Sequence, residues 1–285
     1  MSSSNVVLVG AGFGGLLLVK ELAAKLADTN YNLIVVEPRN FFLHQPSTLR
    51  MVVSSQDGYE NKSIMNHPSS FSSVSGKVRF VQAKATSIVD SGTDGGRVVL
   101  DNGESVDFSV LVLATGSRWS GPIAFGTDRD QIMDTVATWR TKFAEAQDIV
   151  LVGGGAIGFG IIFNRFTKCD ALTSVPQQNY LGKSKIYGRQ ASCFDLVLTI
   201  FLIYPDQHKR VTIVHAHSLP LNDAYPDRWR KDIGKKSQKR GVQLVMADHV
   251  TNIDTQDGRV VTQSGQSIPA DLVVRIAIST FVSSS

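Results

Sequence analysis

The stretch NVVLVGAGFGGLLLV at residues 5–19 decides the fold class, and DIVLVGGGAIGFG at residues 148–160 repeats its pattern. Each places an apolar, strand-like run before a glycine-rich turn, the order that opens a dinucleotide-binding βαβ unit. In the first stretch Gly10 makes the tight turn, Gly12 lets the backbone approach a pyrophosphate, and Gly15 allows close helix-to-strand packing. The helix that follows offers unpaired N–H groups to phosphates. Two such turns predict two nucleotide sites, which would hold an electron donor against an acceptor.

Glu37 strengthens the interpretation of the first turn. It closes the next apolar run, about 20 residues after the turn, where dinucleotide folds carry an acid that accepts the ribose hydroxyls. The alternative is a glycine cluster at a helix start next to a surface glutamate. That alternative does not explain the full order of strand, turn, helix, strand and acid.

Composition places the chain among globular proteins, since its 285 residues are 42% hydrophobic and suggest about two domains. The net charge is +4, and the densest basic run, at residues 228–240, has the spacing of a solvated helix face. Residues 1–5 carry neither a signal peptide nor a myristoylation signal, and the longest apolar run, residues 196–204, is too short to cross a bilayer. We expect a cytoplasmic protein, at most peripheral to membranes, without a nucleic-acid partner.

Cysteine and histidine usage excludes several chemistries. The two cysteines, Cys169 and Cys193, do not have the CxxxxC spacing of the disulfide reductases. No Cys and His cluster has zinc or iron–sulfur spacing, so we expect no metal site. We expect the rings of His215 and His217, on a strand predicted at residues 211–217, to point to opposite faces and away from a shared metal.

The segment between the two turns contains a hairpin and a third glycine turn. Residues 98–100 and 105–108 flank an Asn-Gly turn and predict a β-hairpin. Residues 110–114 form an apolar strand that ends in the small residues ATGS at 114–117. A turn of this kind at the carboxyl end of a parallel strand is where open sheets bind nucleotides.

The order of these motifs resembles the flavoproteins that bind two nucleotides. Within them, the chain most resembles the apoptosis-inducing-factor homologue, mitochondrion-associated branch, which includes the ferroptosis suppressor proteins and their fungal relatives. The resemblance covers residues 5–159 and 203–274. The motifs that carry it are GAGFGG at 10–15, Glu37, HQPSTLR at 44–50, ATGS at 114–117, GGGAIG at 153–158 and the stretch from 209 to 245.

This resemblance implies an α/β fold with two Rossmann-like dinucleotide-binding domains, an FAD domain and an inserted NAD(P)H domain. It implies an oxidoreductase in which FAD takes electrons from NADH or NADPH and passes them to a quinone. The residues implied to bind FAD are Gly10, Ala11, Gly12, Phe13, Gly14, Glu37, Arg50, Ala85, Thr115 and Gly116. Arg50 is equally compatible with a surface position at a helix end. The residues implied to bind NAD(P)H are Gly153, Gly155 and Gly158.

His215 occupies the position where the second site should carry its ribose-binding acid. A histidine imposes no like-charge penalty on a 2′-phosphate and can donate a hydrogen bond to it. The sequence therefore leaves both NADH and NADPH open as electron donors.

Two segments depart from the family pattern and affect the predicted domains. We expect the FAD domain at residues 1–120 and the NAD(P)H domain at 121–275, with an atypical insert at 159–203 and an atypical tail at 276–285. A surface loop as long as the insert is unusual in a compact domain, and we interpret it as a retained intron or gene-model artefact. The early end predicts a C-terminally truncated chain that lacks part of the FAD domain.

Two alternatives to a quinone reductase stay open at this stage. The chain is also compatible with a truncated, non-catalytic fragment that binds nucleotides weakly. An enzyme of the ferredoxin or rubredoxin reductase type would use the same scaffold. Flavin absorbance separates the first alternative from a flavoenzyme, and a screen of electron acceptors separates the second.

Overall fold

The structure, a computed structural model, describes residues 4–67, 78–92, 95–155, 200, 209–254, 257–275 and 278–281. Gly158, Cys169 and Cys193 lie outside the described residues, as does the predicted insert except for residue 200. The chain divides into two compact units. The first takes the described residues of Met1–Gln45, Asn61–Arg118 and Thr280–Ser285, and the second those of Pro46–Glu60 and Trp119–Ser279.

The described residues form helices and strands that we number in chain order. The helices are α1 (Phe13–Leu26), α2 (Gln45–Val53), α3 (Tyr59–Ser63), α4 (Arg129–Glu145) and α5 (Asp227–Lys239), with 3-10 turns at Gln56–Gly58 and Gly121–Ile123. The strands are β1 (Ser4–Val9), β2 (Tyr31–Val36), β3 (Phe41–Leu43), β4 (Ile64–Asn66), β5 (Val78–Val81), β6 (Ala85–Asp90), β7 (Gly96–Leu100), β8 (Ser105–Phe108), β9 (Val110–Leu113), β10 (Ser117–Trp119), β11 (Asp148–Val152), β12 (Arg210–His215), β13 (Gln243–Met246), β14 (Val250–Asp254), β15 (Arg259–Thr262), β16 (Ser267–Pro269), β17 (Leu272–Arg275) and β18 (Ile278–Phe281).

The first unit is built on a parallel sheet with strand order β5-β2-β1-β9. Alternate residues of β1 are buried on opposite faces of this sheet, because strand side chains have a period of two. Val6 and Leu8 pack with Val19 of α1 on one face. Val7 and Val9 pack on the other face against the antiparallel sheet β6-β7-β8. Burial on both faces explains why β1 is a continuous apolar run.

The second unit repeats this arrangement. Its parallel sheet has the order β13-β12-β11-β17, so β11 and β12 take the places of β1 and β2. An antiparallel sheet, β14-β15-β16, covers one face, where Val150 and Val214 pack with Val260 and Ile268. The predicted α/β fold with two Rossmann-type parallel sheets is confirmed, and so is the hairpin, formed by β7 and β8.

Within the second unit, α4 holds the C-terminal end of α2. The Arg140 guanidinium donates Nε to the Met51 carbonyl oxygen at 2.8 Å and an η nitrogen to that of Ser54 at 2.9 Å. The same group pairs with Glu60 at 2.5 Å. A cation at the end of a helix satisfies carbonyl groups that the helix itself leaves without partners. Among the described helices, none is both long enough and apolar enough to span a membrane.

Candidate functional site

The first glycine-rich turn, between β1 and α1, requires glycine at two positions. Gly10 has φ +100°, and a Cβ there would lie 2.3 Å from the Ala114 carbonyl oxygen. A Cβ on Gly15 would lie 1.9 Å from the Gly10 carbonyl oxygen. Both distances are far below van der Waals contact, so helix and strand meet backbone against backbone. This geometry agrees with the expected roles of Gly10 in the turn and Gly15 in helix packing.

The N-terminus of α1 has room for an anion. Gly12 begins the helix with an extended backbone, and no side chain caps the first turn, which also carries no acidic residue. Cβ atoms on Gly12 or Gly14 would meet nothing within 4 Å. The first N–H groups of a helix lack partners inside the helix and attract negative charge. A pyrophosphate therefore fits this turn in both space and charge.

Glu37 is buried where β2 ends, directly beside the turn. It is 7% exposed, Oε2 accepts a hydrogen bond from the Ala11 N–H at 2.7 Å, and Oε1 accepts one from the Arg39 N–H at 3.2 Å. A carboxylate has about four acceptor positions, so others remain for ribose hydroxyls. Glu37 therefore fixes the turn through Ala11 in addition to its predicted contact with the ribose.

The third glycine turn lies beside the first. Ala114 donates its N–H to the Val9 carbonyl oxygen at 2.8 Å. The Cα of Thr115 lies 3.2 Å from the point that a Cβ on Gly10 would occupy, and Gly116 has φ +75°. The structure thus brings Thr115 and Gly116, both predicted to contact FAD, together with the pyrophosphate turn.

The other two residues predicted to bind FAD stand elsewhere. Ala85 begins β6, pairs with Leu100 and packs against the apolar core between the two sheets of the first unit. Arg50 lies on α2, in the second unit, with its guanidinium carbon 4.5 Å from the centre of the Tyr59 ring. Their contacts with FAD stay predictions.

The second glycine-rich turn, after β11, repeats the geometry of the first. Gly153 has φ +107° and donates its N–H to the Val214 carbonyl oxygen at 2.9 Å, as Gly10 does to the end of β2. A Cβ on Gly155 would meet nothing within 4 Å. Two of the three glycines predicted to bind NAD(P)H therefore form a turn of the required kind.

His215 takes the place in the second unit that Glu37 takes in the first. Its Nδ1 accepts a hydrogen bond from the Gly154 N–H at 3.0 Å, and its Nε2 lies 3.1 Å from the Leu221 carbonyl oxygen. Because a carbonyl can only accept, Nε2 carries the proton and Nδ1 does not, so the ring is neutral. Burial lowers the pKa of His215, which favours the same neutral form.

The expectation that His215 and His217 point to opposite faces of a strand is wrong. Residues two apart along a strand lie on the same face, so strand geometry does not separate these histidines. β12 ends at His215, and the two ring centres lie 5.1 Å apart. His217 belongs to the loop beside the second turn. Within the described parts of the chain, no group of three His, Cys, Asp or Glu side chains is placed to hold a metal ion.

The loop after β12 is fastened to the second turn. Leu221 has φ +64° and donates its N–H to the Gly154 carbonyl oxygen at 2.8 Å. Buried Arg230 donates Nε to the Pro220 carbonyl oxygen at 2.9 Å and pairs with Asp223 at 2.9 Å. Sequence reasoning missed these contacts, because hydrogen bonds between a loop backbone and distant side chains leave no spacing pattern. The available signal was a histidine at a strand end where an acid is expected.

The chain matches the model of the pyridine nucleotide-disulphide oxidoreductase family over residues 4–277. It is 34% identical over 225 residues to the FAD-dependent oxidoreductase FVFD30 of Flammulina velutipes, and the aligned region covers 79% of this chain and 58% of that protein. It is 24% identical over 264 residues to ferroptosis suppressor protein 1 of Xenopus tropicalis, and the aligned region covers 92% of this chain and 57% of that protein. The chain thus spans less than two thirds of the length of these relatives.

A solved structure shares the fold. The ferredoxin reductase for the CYP199A2 system of Rhodopseudomonas palustris superposes with a TM-score of 0.64 at 15% identity, over 95% of this chain and 58% of that chain. The family match and the curated relatives confirm the resemblance carried by the sequence motifs. The chain belongs to the pyridine nucleotide-disulphide oxidoreductase family, whose members use FAD and NAD(P)H.

Proposed function

We propose that this chain is the nucleotide-binding part of an FAD-dependent oxidoreductase that passes electrons from NAD(P)H to a quinone. The duplicated turn carries the proposal. Gly10 follows β1 and Gly153 follows β11, two strands with the same place in their sheets, and both glycines have a left-handed backbone. Two dinucleotide turns in one chain of this family support two bound nucleotides, one as electron donor and one as electron acceptor.

The first unit is the FAD site in this proposal. Backbone N–H groups at the start of α1 hold the pyrophosphate, and the free acceptor positions of Glu37 hold the adenosine ribose. The proposed FAD-binding residues of the first unit are Gly10, Ala11, Gly12, Phe13, Gly14, Gly15, Glu37, Ala85, Thr115 and Gly116. The sequence resemblance adds Arg50, which lies on α2. FAD, when bound, supplies the chemistry that accepts a hydride from the reduced nucleotide.

The second unit is the NAD(P)H site. Gly153, Gly155 and Gly158 hold the pyrophosphate of the reduced nucleotide, and the task of the chain is to position it. No side chain is needed as a nucleophile, because Cys169 and Cys193 do not form the dithiol spacing of disulfide reductases. A cytoplasmic location with at most peripheral membrane contact is part of the same proposal.

Two kinds of electron acceptor are candidates, a quinone and an iron–sulfur protein. A quinone is the acceptor implied by the resemblance to the branch that includes the ferroptosis suppressor proteins. The similarity to a protein of that name supports this choice. The ferredoxin reductase with the same fold keeps an iron–sulfur acceptor as the second candidate.

The test uses the full chain purified with excess FAD. We expect bound flavin that NADH or NADPH bleaches without oxygen, and that a short-chain ubiquinone reoxidises faster than an oxidised [2Fe–2S] ferredoxin does. Faster reoxidation by the ferredoxin would favour the second candidate. A chain that retains no flavin would favour the non-catalytic, nucleotide-binding fragment.

A further inference from the structure

The second unit differs from the first in the charge that it presents to a nucleotide ribose. In the first unit the residue at the end of β2 is Glu37, a carboxylate. In the second unit both nitrogens of His215 are bound to backbone groups of Gly154 and Leu221, so the ring carries no charge and offers no free nitrogen. His215 therefore neither accepts ribose hydroxyls as an acid would nor repels a 2′-phosphate.

Three basic side chains contribute to the electrostatic surroundings of His215. The pKa of His215 is lowered first by burial and then by the charges of His217, Arg230 and His249, while the hydrogen bond to Leu221 raises it. Arg230 forms an ion pair with Asp223 and donates a hydrogen bond to the Pro220 carbonyl oxygen. His217 and His249 are both exposed.

A carboxylate whose backbone pairs with His215 is already engaged. Asp248 follows β13 and donates its N–H to the His215 carbonyl oxygen at 3.1 Å. Its side chain, however, accepts hydrogen bonds from the Ser264 hydroxyl at 2.6 Å and from the His249 N–H at 2.8 Å. The Asp248 carboxylate is therefore engaged by Ser264 and His249.

We propose that the second unit selects a dinucleotide with a 2′-phosphate, NADPH over NADH, with His217 as the contact to that phosphate and neutral His215 as a positioning residue. The inference rests on the proposed function, which places the reduced nucleotide in the second unit. The His217 ring stands 5.1 Å from that of His215, at the strand end where dinucleotide folds read the adenosine ribose. A 2′-phosphate there can accept a hydrogen bond from an imidazole N–H.

The test measures binding by calorimetry to the FAD-saturated chain at pH 7, with adenosine 2′,5′-bisphosphate and AMP as probes. These probes lack nicotinamide, so the readout does not depend on turnover. We expect the bisphosphate to bind about tenfold more tightly, as one charge-assisted hydrogen bond allows. His217→Ala should bring the affinity for the bisphosphate down to that for AMP and leave the affinity for AMP unchanged. Lys235→Ala, which removes an exposed positive charge from α5, should change neither affinity.

Two substitutions at His215 test its positioning role. His215→Asn keeps an acceptor for the Gly154 N–H without a charge, and should preserve the preference for the bisphosphate over AMP. His215→Glu can accept the same hydrogen bond but adds a negative charge, and should favour AMP over the bisphosphate. Circular dichroism verifies that each variant is folded.

The outcomes separate the inference from the proposed function. Equal affinities for the two probes, or tighter binding of AMP by the unaltered chain, would overturn the inference and leave the proposed function standing. A preference for the bisphosphate that survives His217→Ala would remove His217 from the site. Binding of neither probe would overturn the proposed function as well.

Discussion

Glu37 Oε2 accepts a 2.7 Å hydrogen bond from the backbone N–H of Ala11, the residue between the first two glycines of the pyrophosphate turn. In the second unit His215 makes the equivalent bond to Gly154 with a neutral nitrogen. Glu37, which follows β2, and His215, which ends β12, therefore each hold the turn of their unit in addition to any role in binding. Substitutions at these positions affect both folding and binding, and paired variants are needed to separate the two.

Glu37→Ala should lower both stability and FAD retention. Removal of the carboxylate leaves the buried Ala11 N–H without a partner, which costs about 1 to 3 kcal/mol of the free energy of unfolding. Loss of a charge-assisted contact to the ribose should weaken FAD retention at least about tenfold. Glu37→Gln is the matched control, because its amide oxygen can still accept from Ala11 while the charge is lost.

Denaturant unfolding and flavin content after desalting separate these effects. Glu37→Gln should unfold close to the unaltered chain and yet retain less flavin. If both variants keep their flavin through desalting, Glu37 does not belong to the FAD site.

Gly15→Ala should destabilise the first unit, whereas Gly14→Ala should not. A Cβ on Gly15 would lie 1.9 Å from the Gly10 carbonyl oxygen, so α1 must move away from β1. Overpacking of this kind costs about 1 to 3 kcal/mol. A Cβ on Gly14 meets nothing within 4 Å, and alanine has a higher helix propensity. Thermal unfolding of the two variants checks this; equal melting temperatures would contradict the close packing at Gly15.

The order of elements in both units was predictable because it depends on local requirements. Gly10 and Gly153 need left-handed backbone, and the apolar runs before them are buried on both sheet faces. The expectation for His217 failed because residues two apart along a strand lie on one face and not on opposite faces. The Arg140 contacts with α2 also left no sequence signal, because they join segments far apart in the chain.

The second unit should lose stability as the pH falls below about 6.5, the pKa of histidine in an unfolded chain. Burial lowers the pKa of His215, so the unfolded chain binds more protons than the folded one in this range. The stability that neutral His215 contributes is therefore fully present above that pH. It is lost as the pH falls through the pKa of His215 in the folded chain. His44 and His67 of the first unit have pKa values lowered by burial as well, so the comparison must be with a variant.

His215→Asn is that variant, because it keeps an acceptor for Gly154 and does not titrate. Between pH 8 and pH 5 its free energy of unfolding should fall less steeply than that of the unaltered chain. Parallel curves would mean that His215 does not titrate differently in the folded and unfolded states.

Electron transfer should not depend on cysteine. The chain has only Cys169 and Cys193, without the dithiol spacing of disulfide reductases. The double substitution of both by serine should retain quinone reduction by NAD(P)H within about twofold, since a hydride passed directly to flavin needs no thiol. The measurement is steady-state turnover with flavin content matched between the two proteins. Loss of turnover at equal flavin content would contradict direct transfer.

Arg140→Lys should loosen α2 and lower the stability of the second unit. The guanidinium donates to the carbonyl groups of Met51 and Ser54 and pairs with Glu60, and the Arg140 side chain is only 20% exposed. A lysine cannot present donors in this planar fork, so carbonyl groups at the end of α2 lose partners at a cost of about 1 to 3 kcal/mol. Arg129→Lys, at an exposed position at the start of α4, is the matched control.

The same pair of variants tests whether α2 carries a cofactor contact. If Arg50 of α2 binds FAD as proposed, Arg140→Lys should also lower flavin retention, while Arg129→Lys should change neither stability nor retention. Lower stability with full flavin retention would mean that Arg140 stabilises α2 but that Arg50 does not bind FAD. Equal unfolding free energies for the two variants would mean that the three contacts of Arg140 contribute nothing that lysine cannot replace.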